Sequence, residues 1–406
     1  MRISLHRRMA TAAMALGLTT LGVLGAGAAP AQAAPADCPV GYYCAWKTEN
    51  ATGTMFKTNK SLATLGTWNN TFRSQINRTS KIACLYDLAN YELGTHWSLD
   101  PNQDPRHGYD IDVNPTTSSV ELVATERECG GDAYPTWYAE TSPKAAGFGD
   151  LNGDRKADVL VRDRVGRLWY LPGDFTGKLV GSGGWNTLNA IVRHGDFSRD
   201  GKEDVIAREA STGKLWLYPG TGTGSLGARK LIGAGGWNTM SRIAAVGDLS
   251  RDGRADLLTV EKSTGKLWLY PGTAAGGLGA RKLIGSGGWN TMNALSGPGD
   301  MNSDGRVDLI AREASTGKLW LYPGTATGTL GARKLIGSGG WNMMGTFLSV
   351  GDFTGDGKVD LATIANDPRL TPEHQGELRF YRGLGTGALA ADSQIDGNWW
   401  GLNGAF

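Results

Sequence analysis

Asp300-Met301-Asn302-Ser303-Asp304-Gly305-Arg306-Val307-Asp308 is the stretch of this 406-residue sequence best equipped for chemistry. The pattern D-x-[N/S/T]-x-D-[G/R]-x-x-D occurs five times, opening at Asp150, Asp196, Asp248, Asp300 and Asp352, each behind a glycine. Positions 1, 3, 5 and 9 gather three carboxylates and one small polar oxygen in a single loop. The sets are Asp150, Asn152, Asp154 and Asp158; Asp196, Ser198, Asp200 and Asp204; Asp248, Ser250, Asp252 and Asp256; Asp300, Asn302, Asp304 and Asp308; Asp352, Thr354, Asp356 and Asp360. Carboxylates held this close repel, and some must take up protons unless a cation intervenes. A hard cation that takes six to eight oxygens at about 2.3–2.6 Å meets that need, so the spacing predicts up to five Ca2+ sites, one per repeat. The position-7 carbonyl (Lys156, Lys202, Arg254, Arg306, Lys358) would add an oxygen. Position 6 is Gly in four loops, which permits a positive φ; Arg155 stands there in the first, so that site should be strained. Mg2+ fits less well, because it demands near-ideal octahedral geometry. These are not EF-hands, since position 12 is never Glu and the flanks read as strands. The plainer alternative is that the Asp residues only form turns. Nothing marks an open catalytic position, and any bound metal reads as structural.

The elements that must position these loops repeat with them. Trp185, Trp237, Trp289 and Trp341 stand 52 residues apart, and the loop-opening Asp residues are spaced 46, 52, 52 and 52. The first interval is short because the hairpin at Pro172–Lys178 is shorter than that at Pro219–Lys230. A period of this size means a propeller or solenoid. Each unit carries four strand signals, seen in 243–248, 255–260, 265–270 and 281–285, and four short strands make one blade. In the third, Leu267 and Leu269 alternate with Trp268 and Tyr270, so both faces are apolar, as suits a blade between two neighbours. These repeats, over residues 145–406, resemble FG-GAP (or VCBS) repeats. The resemblance implies a β-propeller, and five units could close one of five blades. Residues 397–406 end where a sixth unit would begin, so closure should join them to 145–150 or the ring is left open.

Each Gly-Gly-Trp-Asn segment leads toward the next blade, and Trp399-Trp400 holds the same place near the end. The pairs are Trp185 and Asn186, Trp237 and Asn238, Trp289 and Asn290, Trp341 and Asn342. An indole beside an amide offers a sugar an apolar face and hydrogen-bonding groups. Repeated aromatics also fill gaps between blades. Both readings stand at this point. The segments are similar, more weakly, to those of tachylectin-type sugar-binding propellers.

Residues 37–133 form a different domain, rich in Tyr, Trp, Asn and Thr. Strands are predicted at 42–47, 54–58, 81–87, 96–99 and 120–125. Two halves look alike, one opening at Cys44-Ala45-Trp46 and the other at Cys84-Leu85-Tyr86. Cys38-Pro39-x-Gly41-Tyr42-x-Cys44, Trp68-Asn69-Asn70 and Ala83-Cys84-Leu85-Tyr86-Asp87 resemble the actinobacterial metalloproteinase-inhibitor family. That resemblance implies a βγ-crystallin-like double Greek key that inhibits a peptidase, the alternative being the same fold without inhibitory activity. Relatives of this shape bind Ca2+ through an [N/D]-[N/D]-x-x-[S/T]-S segment. Arg73 and Pro115 depart from that pattern, which argues against calcium here. Residues 134–144, with Pro135, Pro143, Thr and Ser and no periodicity, read as a linker.

Residues 1–33 read as a cleaved secretory signal, with Arg2, Arg7 and Arg8, an apolar run from Ala10 to Ala29, and Ala31-Gln32-Ala33. Their removal takes three of the 41 basic residues and none of the 39 acidic ones, leaving a net charge of −1. That is no footprint for nucleic acid or anionic membrane. In a secreted chain the four cysteines, Cys38, Cys44, Cys84 and Cys129, read as disulfides. Of three possible pairings, Cys38–Cys44 with Cys84–Cys129 is preferred; zinc is the alternative, without a C-x-x-C or a nearby His.

No G-x-S-x-G or H-E-x-x-H is present, and His96, His107, His194 and His374 form no constellation in the sequence. The sequence therefore reads as a secreted, all-β, calcium-binding, non-enzymatic protein. Its propeller would bind an extracellular glycan or protein, and its first domain would inhibit a peptidase. The alternative order of importance is a secreted metallopeptidase inhibitor with the propeller as a targeting scaffold.

Overall fold

A computed structural model describes residues 34–91, 96–107, 110–111, 115–124, 129, 134–143, 149–193, 195–367, 369–370, 374, 376–391, 393–396, 399 and 402–406. The expected signal, Asn114, Lys144, His194 and Trp400 lie outside these residues. The chain divides into two compact units, Met1–Ala133 and Tyr134–Phe406. Among the described residues there is no α-helix, and no helix is long and apolar enough to cross a membrane.

In the first unit, β1 (Tyr43–Trp46), β2 (Met55–Thr58), β3 (Ser74–Asn77) and β6 (Asp110–Ile111) pair in the order β2-β1-β3-β6. The second sheet orders β4 (Ile82–Tyr86), β5 (His96–Leu99) and β7 (Ser119–Val123) as β5-β4-β7. Each half of the sequence lends a piece to the other's sheet. From the second half, β6 pairs with β3; from the first half, Leu62 bridges Val120. That exchange makes the interlocked Greek keys of a crystallin-like fold. Tyr43, Phe72, Leu85, Val120 and Leu122 fill the space between the sheets. The strand β3 has no signal in the sequence: Ser74-Gln75-Ile76-Asn77 is largely polar, yet all four residues are buried. Hydrogen bonds offset that desolvation. The Tyr43 hydroxyl donates to Gln75 Oε1 at 2.7 Å, and Asn77 Nδ2 donates to the carbonyls of Lys81, Leu99 and Asp100. The disulfides are Cys38–Cys44 and Cys84–Cys129, as preferred from the sequence.

The second unit contains five four-stranded antiparallel sheets. Blade 1 combines β8 (Val159–Arg162), β9 (Leu168–Leu171) and β10 (Lys178–Gly181) with β27 (Gly404–Ala405). Blade 2 is β11 (Leu188–Val192), β12 (Val205–Glu209), β13 (Leu215–Tyr218) and β14 (Lys230–Gly233). Blade 3 is β15 (Met240–Gly247), β16 (Asp256–Glu261), β17 (Leu267–Tyr270) and β18 (Lys282–Gly285). Blade 4 is β19 (Met292–Gly299), β20 (Asp308–Glu313), β21 (Leu319–Tyr322) and β22 (Lys334–Gly337). Blade 5 is β23 (Met344–Leu348), β24 (Leu361–Ala365), β25 (Leu378–Tyr381) and β26 (Ser393–Asp396). Strands β11 and β15, β15 and β19, and β23 and β27 lie beside one another, which puts the first strand of each blade inside the ring. The fold is a five-bladed β-propeller.

Two expectations about its ends are corrected. Residues 134–143 are not a linker but part of the ring. Trp137 is 1 % exposed, meets Phe353, Phe380 and Trp399 edge-on, and donates from Nε1 to the Ala157 carbonyl at 2.6 Å. An aperiodic, Pro-bearing segment hides this, because one indole wedged between blades 5 and 1 does the anchoring. Closure is observed further along than the expected 145–150, of which 145–148 lie outside the described residues. Gly404 and Ala405 pair with Arg162 and Val161, so the inner strand of blade 1 comes from the far end of the sequence.

Candidate metal loops and blade interfaces

The five acidic loops share one geometry, set by backbone amides. The first Asp accepts from N–H groups further along its own loop: Asp248 takes those of Asp252 and Gly253 at 3.0 and 2.9 Å, and Asp300 those of Asp304 and Gly305 at 3.0 and 2.9 Å. Positions 4 and 6 are left-handed throughout. At position 6 the φ values are 82° for Gly201, 81° for Gly253, 82° for Gly305, 80° for Gly357 and 66° for Arg155. Arg155 thus adopts the conformation that glycine supplies elsewhere.

The ninth position differs from the rest. Asp158, Asp204, Asp256, Asp308 and Asp360 are buried, while the Asp at position 5 is solvent-facing. In four loops both oxygens of the buried carboxylate hold backbone. Asp204 takes Ser198 N at 2.6 Å and Gly220 N at 2.9 Å; Asp256 takes Ser250 and Gly272, Asp308 takes Met301 and Gly324, and Asp360 takes Thr354 and Gly383. This carboxylate ties the acidic loop to the turn after the third strand of its blade. Burial pushes Asp204, Asp256 and Asp308 up to about 6, and Asp360 upward, against the pull of those amides; loop partners such as Asp200, Asp248, Asp304 and Asp352 add to the rise. Burial carries Asp158 to about 8, the nearby charge of Arg193 working the other way. Among the described residues, no group of three or more Asp, Glu, His or Cys side chains is gathered as a metal would require. The all-oxygen donor set and the excess carboxylate charge fit Ca2+ in kind. The amide bonds also realise the turn reading.

The Trp–Asn pairs lie at the blade interfaces. Trp185, Trp237, Trp289 and Trp341 are 7–9 % exposed, and their rings meet Tyr218, Tyr270, Tyr322 and Tyr381 of the following blade at centroid distances of 4.8, 4.8, 4.8 and 4.5 Å. A Cβ at Gly285 would stand 2.2 Å from Trp289 Nε1, so the indole lies where only glycine leaves room. Asn186, Asn238, Asn290 and Asn342 donate to the carbonyls of Arg164, Ala210, Lys262 and Ala314, holding the neighbouring turn. The sugar-stacking expectation for these pairs is therefore corrected: their apolar area is already covered by the next blade. Trp399 N donates to the Gly376 carbonyl as Trp289 N does to Gly265, confirming its equivalent place.

Among the described residues, one buried network has no counterpart elsewhere in the ring. Arg193 binds Glu203 through Nε–Oε1 at 3.0 Å and Nη2–Oε2 at 2.9 Å, and its Nη1 donates to the Asp158 carbonyl at 2.7 Å. The sequence reading did not single these residues out. Their signal was available: the other blades have Ala245, Gly297 and Ser349 in place of Arg193, and Ala255, Val307 and Val359 in place of Glu203. His374 Nδ1 lies 2.5 Å from Glu377, which Arg379 also holds, so that histidine sits in an ion-pair cluster.

Both units match family models. Residues 31–99 match peptidase inhibitor family I36, and residues 196–259, 248–311 and 300–363 match the FG-GAP-like repeat. A stretch similar to the I36 family thus precedes three segments similar to the FG-GAP-like repeat. No curated protein matches the sequence. Among solved structures, similarity extends to an Agrocybe aegerita lectin described by its specific recognition of non-reducing terminal N-acetylglucosamine. The identity is 16 %, with 79 % of this chain and 90 % of that chain covered and a TM-score of 0.37. Another is the dihydro-heme d1 dehydrogenase NirN in complex with DHE, at 12 % identity, 94 % and 77 % coverage, and a TM-score of 0.27. The propeller assignment rests on the sheet topology, not on these overlaps.

Proposed function

We propose that this is a secreted, non-catalytic, calcium-binding protein whose propeller is an extracellular binding module for glycan or protein and whose first unit inhibits a peptidase. The observation that carries this reading is that the two family matches fall on two separately folded units, one of an inhibitor family and one of a repeat built into a ring. The disulfides support an oxidising compartment. The purified chain should inhibit a thermolysin-like metallopeptidase with a Ki at or below about 1 μM. Activity of that enzyme and of a subtilisin-like serine peptidase unchanged at about 10 μM chain would sink the inhibitor half.

Calcium in the loops is proposed on the donor set: Asp, Asn, Ser and Thr side chains at positions 1, 3 and 5 on the solvent side, with the position-9 carboxylate behind them. Bound metal would offset the crowded negative charge and brace each loop. Saturation at about 100 times Kd is worth about 2.7 kcal/mol per site. Stability should also depend on pH in a defined direction. Asp204, Asp256 and Asp308 titrate near 6 in the fold, above the roughly 3.9 of an unfolded Asp. The folded state therefore holds more protons between those values, and the stabilisation is complete below about pH 4 and lost as pH rises through about 6. In EGTA the melting temperature should fall between pH 5 and pH 7, and saturating calcium should flatten that fall. A melting temperature at pH 7.5 that ignores both EGTA and calcium would remove the metal from this account.

A further inference from the structure

On blades 2, 3 and 4 the rim carries a feature that repeats with the ring. The guanidinium of Arg229 lies over the Trp216 ring with Cζ 4.1 Å from its centroid; Arg281 lies over Trp268 at 4.0 Å and Arg333 over Trp320 at 4.0 Å. Sheet register sets a leucine opposite each tryptophan: Leu231, Leu283 and Leu335. Those leucines are 49, 48 and 48 % exposed on the outermost strands β14, β18 and β22. The adjoining Lys230, Lys282 and Lys334 are exposed as well. Among the described residues only Arg281 of the three arginines has a carboxylate partner, Glu261 at 3.3 Å. Blades 1 and 5 lack the arrangement. In blade 1, Trp169 lies against Arg167, which pairs with Asp163, and against Tyr134; blade 5 has Arg379 in place of the tryptophan.

We propose that these three Arg–Trp–Leu patches form one repeated surface for a carboxylated polysaccharide. The inference deepens the binding-module reading of the propeller and rests on it. A guanidinium held over an indole is partly immobilised, and its planar fork of N–H groups matches a carboxylate, so less freedom is lost when a carboxylate docks. The exposed leucine, on the same face as the tryptophan, offers an apolar patch to the C–H face of a sugar ring. Each patch is small, and its affinity alone is weak. Three equivalent patches repeated around a rim gain strength from a ligand that repeats the same group, as a uronate polymer does. A folded acidic protein has no reason to repeat its carboxylates at the blade period. Nucleic acid repeats its charge, but a chain with formal net charge +2 lacks the basic footprint it needs, and here a guanidinium covers an indole face that bases would stack on.

The test is affinity electrophoresis of the full chain in about 50 mM salt through gels holding polygalacturonate, dextran, poly-L-glutamate or single-stranded DNA. Polygalacturonate should retard the wild type, and dextran should not. The triple variant Arg229→Gln, Arg281→Gln, Arg333→Gln should bind at least about tenfold more weakly with an unchanged melting temperature. The triple Arg→Lys variant, which keeps charge but loses the flat fork, should fall between. Lys57→Gln, Lys60→Gln and Lys81→Gln together, an equal charge change on the first unit, should leave retardation unchanged. Equal retardation of the wild type and the Arg→Gln variant would overturn the site. Retardation by polyglutamate or DNA equal to that by polygalacturonate would overturn the ligand class. A wild type slowed by dextran and not by polygalacturonate overturns this inference while leaving the binding module standing; no retardation in any gel counts against both.

Discussion

Removal of residues 403–406 is expected to lower the propeller's stability by about 5 kcal/mol or more. Three backbone hydrogen bonds disappear: Asn403 N to Arg162 O, Phe406 N to Leu160 O, and Leu160 N to Phe406 O, at 2.8, 2.8 and 2.9 Å. At about 1 kcal/mol each they account for roughly 3 kcal/mol. Phe406, partly buried, also leaves a cluster with Leu151, Leu160, Tyr170 and Trp185, worth at most about 1.5–3 kcal/mol. The sum is comparable to the whole net stability of many domains, about 5–15 kcal/mol. The indirect loss adds to it. Without β27, blade 1 exposes the edge of β8, and the wedge of Trp137 and Trp399 loses Ala405 from its cluster. The truncated chain should melt about 10–20 °C lower, followed by tryptophan fluorescence, and should aggregate through the freed edge. A shift below about 3 °C would mean that the ring holds without this strand.

The second large effect is expected at Arg193. Its side chain is 1 % exposed and that of Glu203 is 0 %, so each is the other's compensation in a place water does not reach. Arg193→Met leaves Glu203 buried without a counter-charge and removes the tie to the Asp158 carbonyl of the neighbouring blade. Breaking one side of such a pair costs about 3–5 kcal/mol, whereas replacing both partners by apolar groups is often neutral. Arg193→Met alone should therefore lower the urea midpoint strongly, and Arg193→Met with Glu203→Leu should recover most of the loss. A double variant as unstable as the single one would show that the carbonyl tie, not the charge pair, carries the effect. The location explains why one pair matters in a ring of five blades. It sits where the first and last parts of the sequence meet, and Arg193 Nη1 also lies 3.4 Å from Phe406 O.

Much of this architecture was legible in the residue order because it is local. An acidic loop of nine residues, a left-handed position at its sixth residue and an alternating Leu-Trp-Leu-Tyr strand depend on neighbours a few residues away. A 52-residue period then multiplies each signal. Even Arg155, the one departure from glycine at position 6, takes the backbone conformation that the loop pattern requires. The crystallin-like unit was less legible. The polar run of β3 is buried only because Tyr43 and three carbonyls, on segments distant in the sequence, satisfy it.

The sequence by itself determined the repeat, its count and the composition of the loops, since each follows from spacing or short-range chemistry; the disulfide pairing was one of three it allowed. Tertiary structure decided what the repeated groups face. It turned the blade-linking tryptophans inward against tyrosines, bound both oxygens of the ninth-position carboxylate to amides in four of the loops, drew residues 134–143 into the ring and left the Arg–Trp stacks on the rim. The reason is geometric: an indole serves equally well as filler or as platform, and only the approach of a neighbouring blade settles which of its faces remains in water.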